Sequence, residues 1–122
     1  MKLIARWLVF GWLCCLPLIG VAESAQMSAI TTVQQLPLAA RYTLQLIKQG
    51  GPFPYAKDGV VFGNYEGHLP RRKRNYYHEY TVQIVGARGR GAQRIVVGGD
   101  PHISGEYYYT KDHYASFLRI QE

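Results

Sequence analysis

YYHEYTVQI, residues 76–84, is the stretch of sequence that decides the fold class. Aromatic and β-branched residues alternate here with polar ones, and this period of two is typical of a half-buried β-strand. One face of the predicted strand carries Tyr76, His78, Tyr80, Val82 and Ile84. The other face carries Tyr77, Glu79, Thr81 and Gln83. The sequence therefore predicts a strand with one apolar face and one polar face that contains Glu79.

Three other segments predict strands of the same sheet, and one predicts a helix. The strands are Val60–Phe62, Arg94–Val97 and Tyr114–Ile120. In the second of these, Ile95 and Val97 lie on one face and Arg94 and Val96 on the other, and the alternation places Arg94 on the Glu79 face. Pro37–Gln49 predicts the helix, because proline suits a first helical turn and Leu38, Tyr42 and Leu46 recur every four residues. Gly50 and Gly51 would end it. The order predicts an α+β fold, with the helix on one face of an antiparallel sheet and the Glu79 face open.

The N-terminus has the pattern of a secretory signal. Lys2 and Arg6 precede an apolar stretch, residues 7–21, and small residues follow up to Ala22. We expect cleavage after Ala22, with Ala25 as a weaker site and a retained membrane anchor as the alternative. Residues 1–22 would then be a signal peptide, 23–35 a flexible lead-in, and 36–122 a single domain.

Composition points to an anionic partner. The 122 residues contain 14 Lys and Arg, 8 Asp and Glu, and two cysteines. The predicted signal contains both cysteines and two of the cations, so the mature chain has 12 cations against 8 acids, a balance of +4. A small basic exported domain suits nucleic acid, a membrane surface or an acidic protein. Charge alone does not choose among these.

Four residues have the chemistry of a nuclease. Glu79 can accept a proton and His113 can deliver one, while Arg90 and Arg94 can bind phosphate oxygens in a bidentate fork. Arg88 lies in the same glycine–arginine loop, for which a solvated basic loop is the alternative. The sequence shows no nucleotide-binding loop and no metal-ligand cluster, so neither a cofactor nor a metal is expected.

A second group of residues suits recognition of a base. In Phe62-Gly63-Asn64-Tyr65-Glu66, the Glu66 carboxylate matches the two donors on the Watson–Crick edge of guanine, and an aromatic ring can stack on the base. A polar hairpin turn with an exposed acid is the alternative. Of the remaining histidines, His78 is predicted to be a hydrogen-bonded core residue, and His68 and His102 are predicted to be incidental.

Taken in order, these segments resemble a known family. The matching segments closely resemble the secreted microbial guanyl-specific ribonucleases, the barnase and ribonuclease Sa group, and are especially like ribonuclease Sa. They are residues 51–55 and 58–62, Asn64, Glu66, and residues 69–70, 76–82, 86–88, 90–91, 94–95 and 108–114. The resemblance runs from about Leu36 to Ile120. It implies the same fold, one helix packed on an antiparallel sheet.

The resemblance also implies roles for individual residues. Glu79 matches the general base, His113 the general acid, and Arg90 and Arg94 the phosphate-binding arginines. The substrate-binding positions comprise Glu66 as the guanine-binding carboxylate, Asn64 as the residue that shapes the base loop, Tyr65 in that loop, and Phe62 and Tyr114 on either side of the base.

The implied activity is a secreted, metal-independent endoribonuclease that cuts single-stranded RNA 3′ of guanosine through a 2′,3′-cyclic phosphate. The protein would be extracellular, or periplasmic if the envelope has two membranes, with no membrane association after signal removal. Two alternatives are a non-catalytic basic protein that binds RNA or anionic surfaces, and a delivered toxin neutralised by an acidic barstar-like inhibitor.

The sequence departs from the family in three places. Gly63 and Tyr65 replace longer polar residues of the base loop, which affects the expected strength of guanine preference. The terminal disulfide of ribonuclease Sa is missing. Arg71-Arg72-Lys73-Arg74 is an unusually basic loop that either attracts RNA electrostatically or is simply solvated.

Overall fold

A six-stranded sheet with one helix on it forms around the strand that the sequence singles out. The structure, a computed structural model, describes residues 29–122; the predicted signal peptide and residues 23–28 lie outside the described residues. The elements are β1 Ala29–Thr32, a short 3₁₀ helix Val33–Gln35, α1 Leu38–Gln49, β2 Val60–Val61, β3 Tyr77–Thr81, β4 Arg94–Gly98, β5 Glu106–Thr110 and β6 Leu118–Gln121. Within this range, no helix is long and apolar enough to cross a membrane.

The sheet has the order β1-β6-β5-β4-β3-β2. Every neighbouring pair from β6 to β2 is antiparallel, and β1 runs parallel to β6 at the edge. The α+β class and the antiparallel core of the sheet are therefore confirmed. The predicted alternation holds within β3, since Tyr80 packs on the helix side and Tyr77 on the opposite side, but Tyr76, predicted on the Tyr80 face, packs on the Tyr77 side.

Helix α1 covers one face of the sheet, but with a different stripe of residues from the one predicted. Its buried residues are Ala40, Thr43, Leu44 and Ile47. Leu38 is 73% exposed and Tyr42 61% exposed, so the predicted Leu38–Tyr42–Leu46 face is wrong. The observed spacing follows the 3.6-residue period, whereas steps of exactly four drift around the helix. Gly50, with φ +87°, ends α1 in the left-handed conformation.

The sequence predicted that the face of the sheet opposite α1 would be open, but in the structure this face is only partly open. A second hydrophobic cluster covers part of it, formed by Leu69, Tyr77, Val96, Tyr108 and Phe117. Phe62, Tyr76 and Tyr114 pack against this cluster. Glu79 lies on the same face, so packed aromatic side chains lie beside it while part of this face stays accessible to solvent.

Residues 29–35, which the sequence placed in a flexible lead-in, form β1 and the 3₁₀ helix. Ala29–Thr32 pairs with β6, where the β-branched residues Ile30, Thr31 and Thr32 complete the edge of the sheet. Thr32 then caps the 3₁₀ helix, since its hydroxyl accepts from the Gln35 backbone N–H at 3.3 Å and its own N–H donates to the Gln35 side chain at 3.1 Å.

Two further differences concern the C-terminal third of the chain. Residues 106–110, where the sequence predicted no strand, form β5, and all five are buried. The last strand begins at Leu118 rather than at Tyr114. His113 and Tyr114 have φ values of 54° and 75°, and residues in this left-handed conformation cannot continue a strand.

Candidate active site

The centre of the candidate site is the Glu79 carboxylate on β3. Its side chain is 16% exposed and lies on the face of the sheet opposite α1. The guanidinium groups of Arg90 and Arg94 each approach Glu79 Oε1 at 3.8 Å. The Tyr114 hydroxyl donates a hydrogen bond to the same oxygen. These contacts converge on Oε1, and no residue in the range 29–122 donates a hydrogen bond to Oε2.

Arg94 is held rigidly at the start of β4. Its Nη1 donates to the backbone carbonyls of Gly91 and Gln93, both at 2.9 Å, and to that of Arg90 at 3.4 Å. The residue is 3% exposed, and its buried Nε, which faces Glu79, has no hydrogen-bond partner. An arginine fixed in this way keeps its charge beside Glu79 without needing to reorganise when another anion arrives.

Arg90 is fixed by a different contact. Its Nε and Nη2 both donate to the Thr81 hydroxyl, at 3.0 and 2.9 Å. Thr81 pairs with Arg94 in the sheet register, so the two arginines are brought together by β3 and β4. The Arg90 side chain is 28% exposed, which leaves it open to a ligand from solvent. Arg88, in contrast, is an exposed residue at the surface of the loop.

His113 and Tyr114 lie in the turn between β5 and β6. The backbone N–H of His113 donates to the Ala92 carbonyl at 3.0 Å, which ties this turn to the arginine loop. The backbone N–H of Tyr114 donates to the Thr110 hydroxyl at 3.0 Å. The His113 ring is exposed and its centroid is 4.7 Å from that of Tyr114. The turn therefore presents an imidazole to solvent next to a tyrosine that contacts Glu79.

Tyr114 keeps its proton under ordinary conditions. Burial, and after it the hydrogen bond to Glu79, raises the pKa of Tyr114 to about 12. The phenol is therefore a donor to Glu79 Oε1 across the neutral range. This contact was missed by the sequence, which placed Tyr114 only beside a bound base.

A pocket of about 300 Å³ adjoins this centre and brings together the residues predicted to bind a base. Its lining consists of Phe62, Asn64, Tyr65, Glu66, His68, His113, Tyr114 and Phe117. The rings of Phe62 and Tyr114 lie 4.9 Å apart at 31° and form one wall. The Glu66 side chain is 74% exposed at the opening. The pocket is therefore aromatic on one side and acidic on the other.

Asn64 determines the shape of the loop that forms this pocket. It adopts the left-handed conformation, with φ 55°, which asparagine tolerates better than most residues. Its side chain accepts from the Leu69 N–H at 3.1 Å and donates to the Leu69 carbonyl at 3.0 Å. The loop is closed by this pair of bonds, so Glu66 lies at a defined place above the pocket.

Two of the three histidines outside the turn, His68 and His78, differ from their predicted roles. His68, predicted to be incidental, lines the pocket, and its Nε2 is 3.4 Å from Glu66 Oε1. The His102 Nδ1–H donates to the Lys48 carbonyl at 3.0 Å, near the end of α1. His78 is only partly buried, and its buried Nδ1 has no hydrogen-bond partner, so the prediction of a hydrogen-bonded core histidine is wrong.

Phe117 is the other pocket residue that the sequence did not predict. It belongs to the second hydrophobic cluster and supports Phe62, with ring centroids 5.9 Å apart. Its place three residues after Tyr114, just before the last strand, was the available signal. Among residues 29–122, no group of three or more His, Cys, Asp and Glu side chains has the arrangement of a metal site.

Comparisons with known proteins show which family the chain resembles. A model of the ribonuclease family matches residues 21–121. Guanyl-specific ribonuclease Sa3 from Kitasatospora aureofaciens is 56% identical over 85 residues, which cover 70% of this chain and 58% of that protein. Guanyl-specific ribonuclease Sa from the same organism is 49% identical over 96 residues, which cover 79% of this chain and 97% of that protein.

Solved structures of ribonuclease Sa2 have the same fold. The structure of its complexes with mononucleotides matches with a TM-score of 0.73 at 45% identity, over 79% of this chain and 96% of that one. Its structure with guanosine-2′-cyclophosphate matches with a TM-score of 0.71 at 45% identity, over 78% and 97% of the two chains. The chain therefore belongs to the ribonuclease family, in the group of the microbial guanyl-specific ribonucleases.

Proposed function

We propose that this protein is a metal-independent endoribonuclease that cuts single-stranded RNA on the 3′ side of guanosine. One observation carries the proposal: Glu79 lies 3.8 Å from two arginines and adjoins a pocket with Glu66 at its opening and His113 in its wall. The guanyl specificity of relatives Sa and Sa3, and the guanosine nucleotide bound to Sa2, support it. A non-catalytic binding protein would not need an acid and a base beside paired arginines.

The first step is an intramolecular transesterification. Glu79 accepts the proton of the ribose 2′-OH at Oε2, the oxygen that is free of the Tyr114 bond. The 2′ oxygen attacks the adjacent phosphorus, and Arg90 and Arg94 stabilise the charge that builds on the phosphoryl oxygens. His113 donates a proton to the departing 5′ oxygen as its bond to phosphorus breaks. The products are a 2′,3′-cyclic phosphate and a free 5′-hydroxyl.

The second step hydrolyses the cyclic phosphate with the proton roles reversed. His113 accepts a proton from water, whose oxygen attacks phosphorus, and Glu79 returns a proton to the 2′ oxygen as that bond breaks. The product is a 3′-phosphate. DNA has no 2′-hydroxyl, so it can occupy the site but supplies no nucleophile for the first step.

Guanine recognition is assigned to the pocket beside this centre. The Glu66 carboxylate would accept from N1–H and the exocyclic amino group of guanine, while backbone N–H groups of the Asn64 loop serve O6. Phe62 and Tyr114 supply aromatic surface on which the base packs. Adenine presents the opposite pattern at these positions and would leave the carboxylate without donors.

A dinucleotide panel tests both parts of the proposal. The mature protein would be assayed in EDTA on GpU, ApU, CpU and UpU. A pocket that hydrogen-bonds the base should favour GpU in kcat/KM by at least ~100-fold, because the wrong base leaves polar groups unpaired. Equal cleavage of all four would keep the catalytic roles and remove the guanine assignment. No cleavage by folded protein would refute the enzymatic function.

Export through an N-terminal signal is part of the same proposal. Residues 1–22 have the pattern of a signal peptide, and the family match begins at residue 21, close to the expected cut after Ala22. The protein would therefore act outside the cell or in a periplasm. Sequencing the N-terminus of protein recovered from the culture medium should give Glu23; a start at Met1 would contradict cleavage.

An acidic inhibitor protein is the partner expected if the ribonuclease is toxic to its producer. The mature balance of 12 cations against 8 acids provides the charge that such a protein would complement. Mature Glu79→Gln protein, used as bait in a producer extract, should retain a small acidic protein that blocks cleavage of GpU by the wild type. An extract with no such inhibitory protein would remove this partner.

A further inference from the structure

A second and larger cavity, of about 780 Å³, lies beside the base loop and has no part in the proposed reaction. We call it the basic groove. One of its walls is the base loop, and another is the basic loop Arg71–Arg74. It shares Phe62, Asn64 and Tyr65 with the guanine pocket, whereas none of the four proposed catalytic residues lines it. The groove and the pocket therefore adjoin each other across the base loop.

Four consecutive cations in this groove have little to balance them. Only Arg72 approaches an acid, Glu106 at 4.0 Å, and its guanidinium also lies 5.4 Å from the Tyr76 ring centroid. Within residues 29–122, Arg71, Lys73 and Arg74 form no ion pair, and all are exposed. Like charges placed this closely repel one another, and a polyanion in the groove would relieve that repulsion.

Hydrogen bonds from tyrosine hydroxyls hold the base of the groove in place. The Tyr76 and Tyr108 hydroxyls both donate to the Glu106 carboxylate, the latter at 2.9 Å. The Tyr77 hydroxyl donates to the Pro70 carbonyl at the start of the basic loop. These bonds tie the loop to β3 and β5, so its cations project from a defined surface.

Tyr65 lies at the rim between the two cavities, and its ring is 97% exposed. The ring rests on the backbone at Gly63, where an added Cβ would come within 3.0 Å of three ring carbons. Gly63 and Tyr65 are thus one structural feature, because only glycine lets the ring lie there. An aromatic ring this exposed to solvent is a platform for stacking a nucleic acid base.

We propose that Tyr65 and the basic groove bind the nucleotides on the 5′ side of the guanosine. Tyr65 stacks the preceding base, and Arg71, Lys73 and Arg74 contact its phosphates. The direction follows from the layout, given the proposed function on which this inference rests. The 3′ phosphate of the guanosine goes to Glu79 and His113, so the 5′ strand leaves past Tyr65 towards the groove. The stacking platform favours RNA over an acidic protein as the occupant.

The test compares three substrates that share one scissile bond. They are GpU, the 5′-extended ApApGpU and the 3′-extended GpUpApA. The test variant is Arg71→Gln with Arg74→Gln. The matched control is Arg41→Gln with Lys48→Gln, which removes the same charge from α1 on the opposite face of the sheet. Gly63→Ala should displace the Tyr65 ring. Because Gly63 also adjoins the guanine pocket, this variant is judged by the ratio of its kcat/KM for ApApGpU to its kcat/KM for GpU.

The wild type should cleave ApApGpU with a higher kcat/KM than GpU, by about 10-fold for one stacked base and its phosphate contacts. The test variant should lose most of this gain while cleaving GpU and GpUpApA within about twofold of the control, since neither substrate reaches the groove. The salt dependence of cleavage of ApApGpU should weaken by about 1.4 in the log–log slope, for two lost phosphate contacts. Gly63→Ala should lower the ApApGpU to GpU ratio.

Other results would overturn the proposal. A loss confined to GpUpApA would place the groove on the 3′ side. A wild type that cleaves all three substrates equally, or a test variant indistinguishable from the control, would show that the groove does not bind RNA and would favour an acidic protein there. Failure of the folded wild type to cleave GpU would instead refute the proposed function itself.

Discussion

At the scale of single residues, Glu79 combines a fixed charge environment with one unengaged oxygen. Tyr114, Arg90 and Arg94 make their closest contacts with Oε1, so Oε2 is the oxygen able to take a proton. Glu79→Gln keeps the size of the side chain and the acceptor for Tyr114 but removes the base. We expect kcat/KM for GpU to fall by about 10²–10⁴-fold.

The control for Glu79→Gln is its thermal unfolding and circular dichroism, which should stay close to those of the wild type. Near-normal cleavage of GpU by the folded variant would show that Glu79 is not the base.

Glu66 is the residue that should distinguish guanine from other bases. Glu66→Gln preserves the shape of the loop but replaces one carboxylate oxygen with a donor that repels the guanine amino group. The ratio of kcat/KM for GpU to that for ApU should fall by roughly 5- to 150-fold, equivalent to about 1–3 kcal/mol for a bidentate contact. An unchanged ratio would place guanine selection elsewhere in the pocket.

The sequence predicted some residue contacts well and others not at all. Strand alternation placed Glu79 and Arg94 on one face, and the structure brings them to 3.8 Å. His68 was missed because it meets Glu66 through the Gly67 turn, which has no periodicity to read. The contact of Tyr114 with Glu79 depends on a left-handed turn, φ 75°, that sequence patterns do not specify.

At the scale of elements, the turn from Thr110 to Ser116 holds the proposed acid in place. Asp112 accepts from the Ser116 hydroxyl at 2.7 Å, the Ser116 N–H at 3.0 Å and the Thr110 hydroxyl at 2.9 Å. Hydrogen bonds from Ser116, side chain first and backbone next, lower the pKa of Asp112 to about 2. A lowered carboxyl pKa means that its stabilising effect is complete above about pH 4 and is lost as the pH falls towards 2.

Asp112→Asn removes that effect at every pH. We expect the melting temperature of the wild type to exceed that of the variant at pH 5–7, with the difference shrinking as the pH falls from about 4 towards 2. Parallel thermal melts across this range measure it. A difference that stays constant down to pH 2 would show that the Asp112 charge does not hold the turn.

Helix α1 offers a matched pair of leucines for its corrected face. Leu44 is 3% exposed and belongs to the main core, whereas Leu38 is 73% exposed. Leu44→Ala should lower the free energy of unfolding by about 2–5 kcal/mol, and Leu38→Ala should change it by less than about 0.5 kcal/mol. Urea unfolding of both variants provides the measurement. An equal loss of unfolding free energy in both variants would support the buried face predicted from Leu38, Tyr42 and Leu46.

The elements that the sequence missed share a physical cause. In β5, Tyr107, Tyr108 and Tyr109 are buried on both faces of the sheet, so the alternation that reveals a half-buried strand is absent. In β1, the four residues Ala29–Thr32 pair through their backbone with β6, and local sequence patterns do not reveal a pairing between segments so far apart in the chain. The helix, β3 and β4 were predictable because each shows its own periodicity.

At the scale of the whole molecule, the sheet separates the main hydrophobic core from the proposed catalytic groups. Helix α1 and the main core occupy one face, and the proposed catalytic groups converge on the other from β3, the β3–β4 loop and the β5–β6 turn. The base loop between β2 and β3 then adjoins both the guanine pocket and the basic groove. A strand of RNA would thus cross the face opposite α1, with guanosine at its centre.

Cleavage of one defined RNA tests the central claim most directly. A single-stranded RNA with one guanosine, and the same strand with 2′-deoxyguanosine at that position, would be treated with the mature protein in EDTA and the product ends mapped. We predict a single cut after the guanosine, a cyclic phosphate that matures to a 3′-phosphate, and an intact deoxy strand. Cleavage of the deoxy strand, 5′-phosphate ends or cuts without base preference would contradict the account.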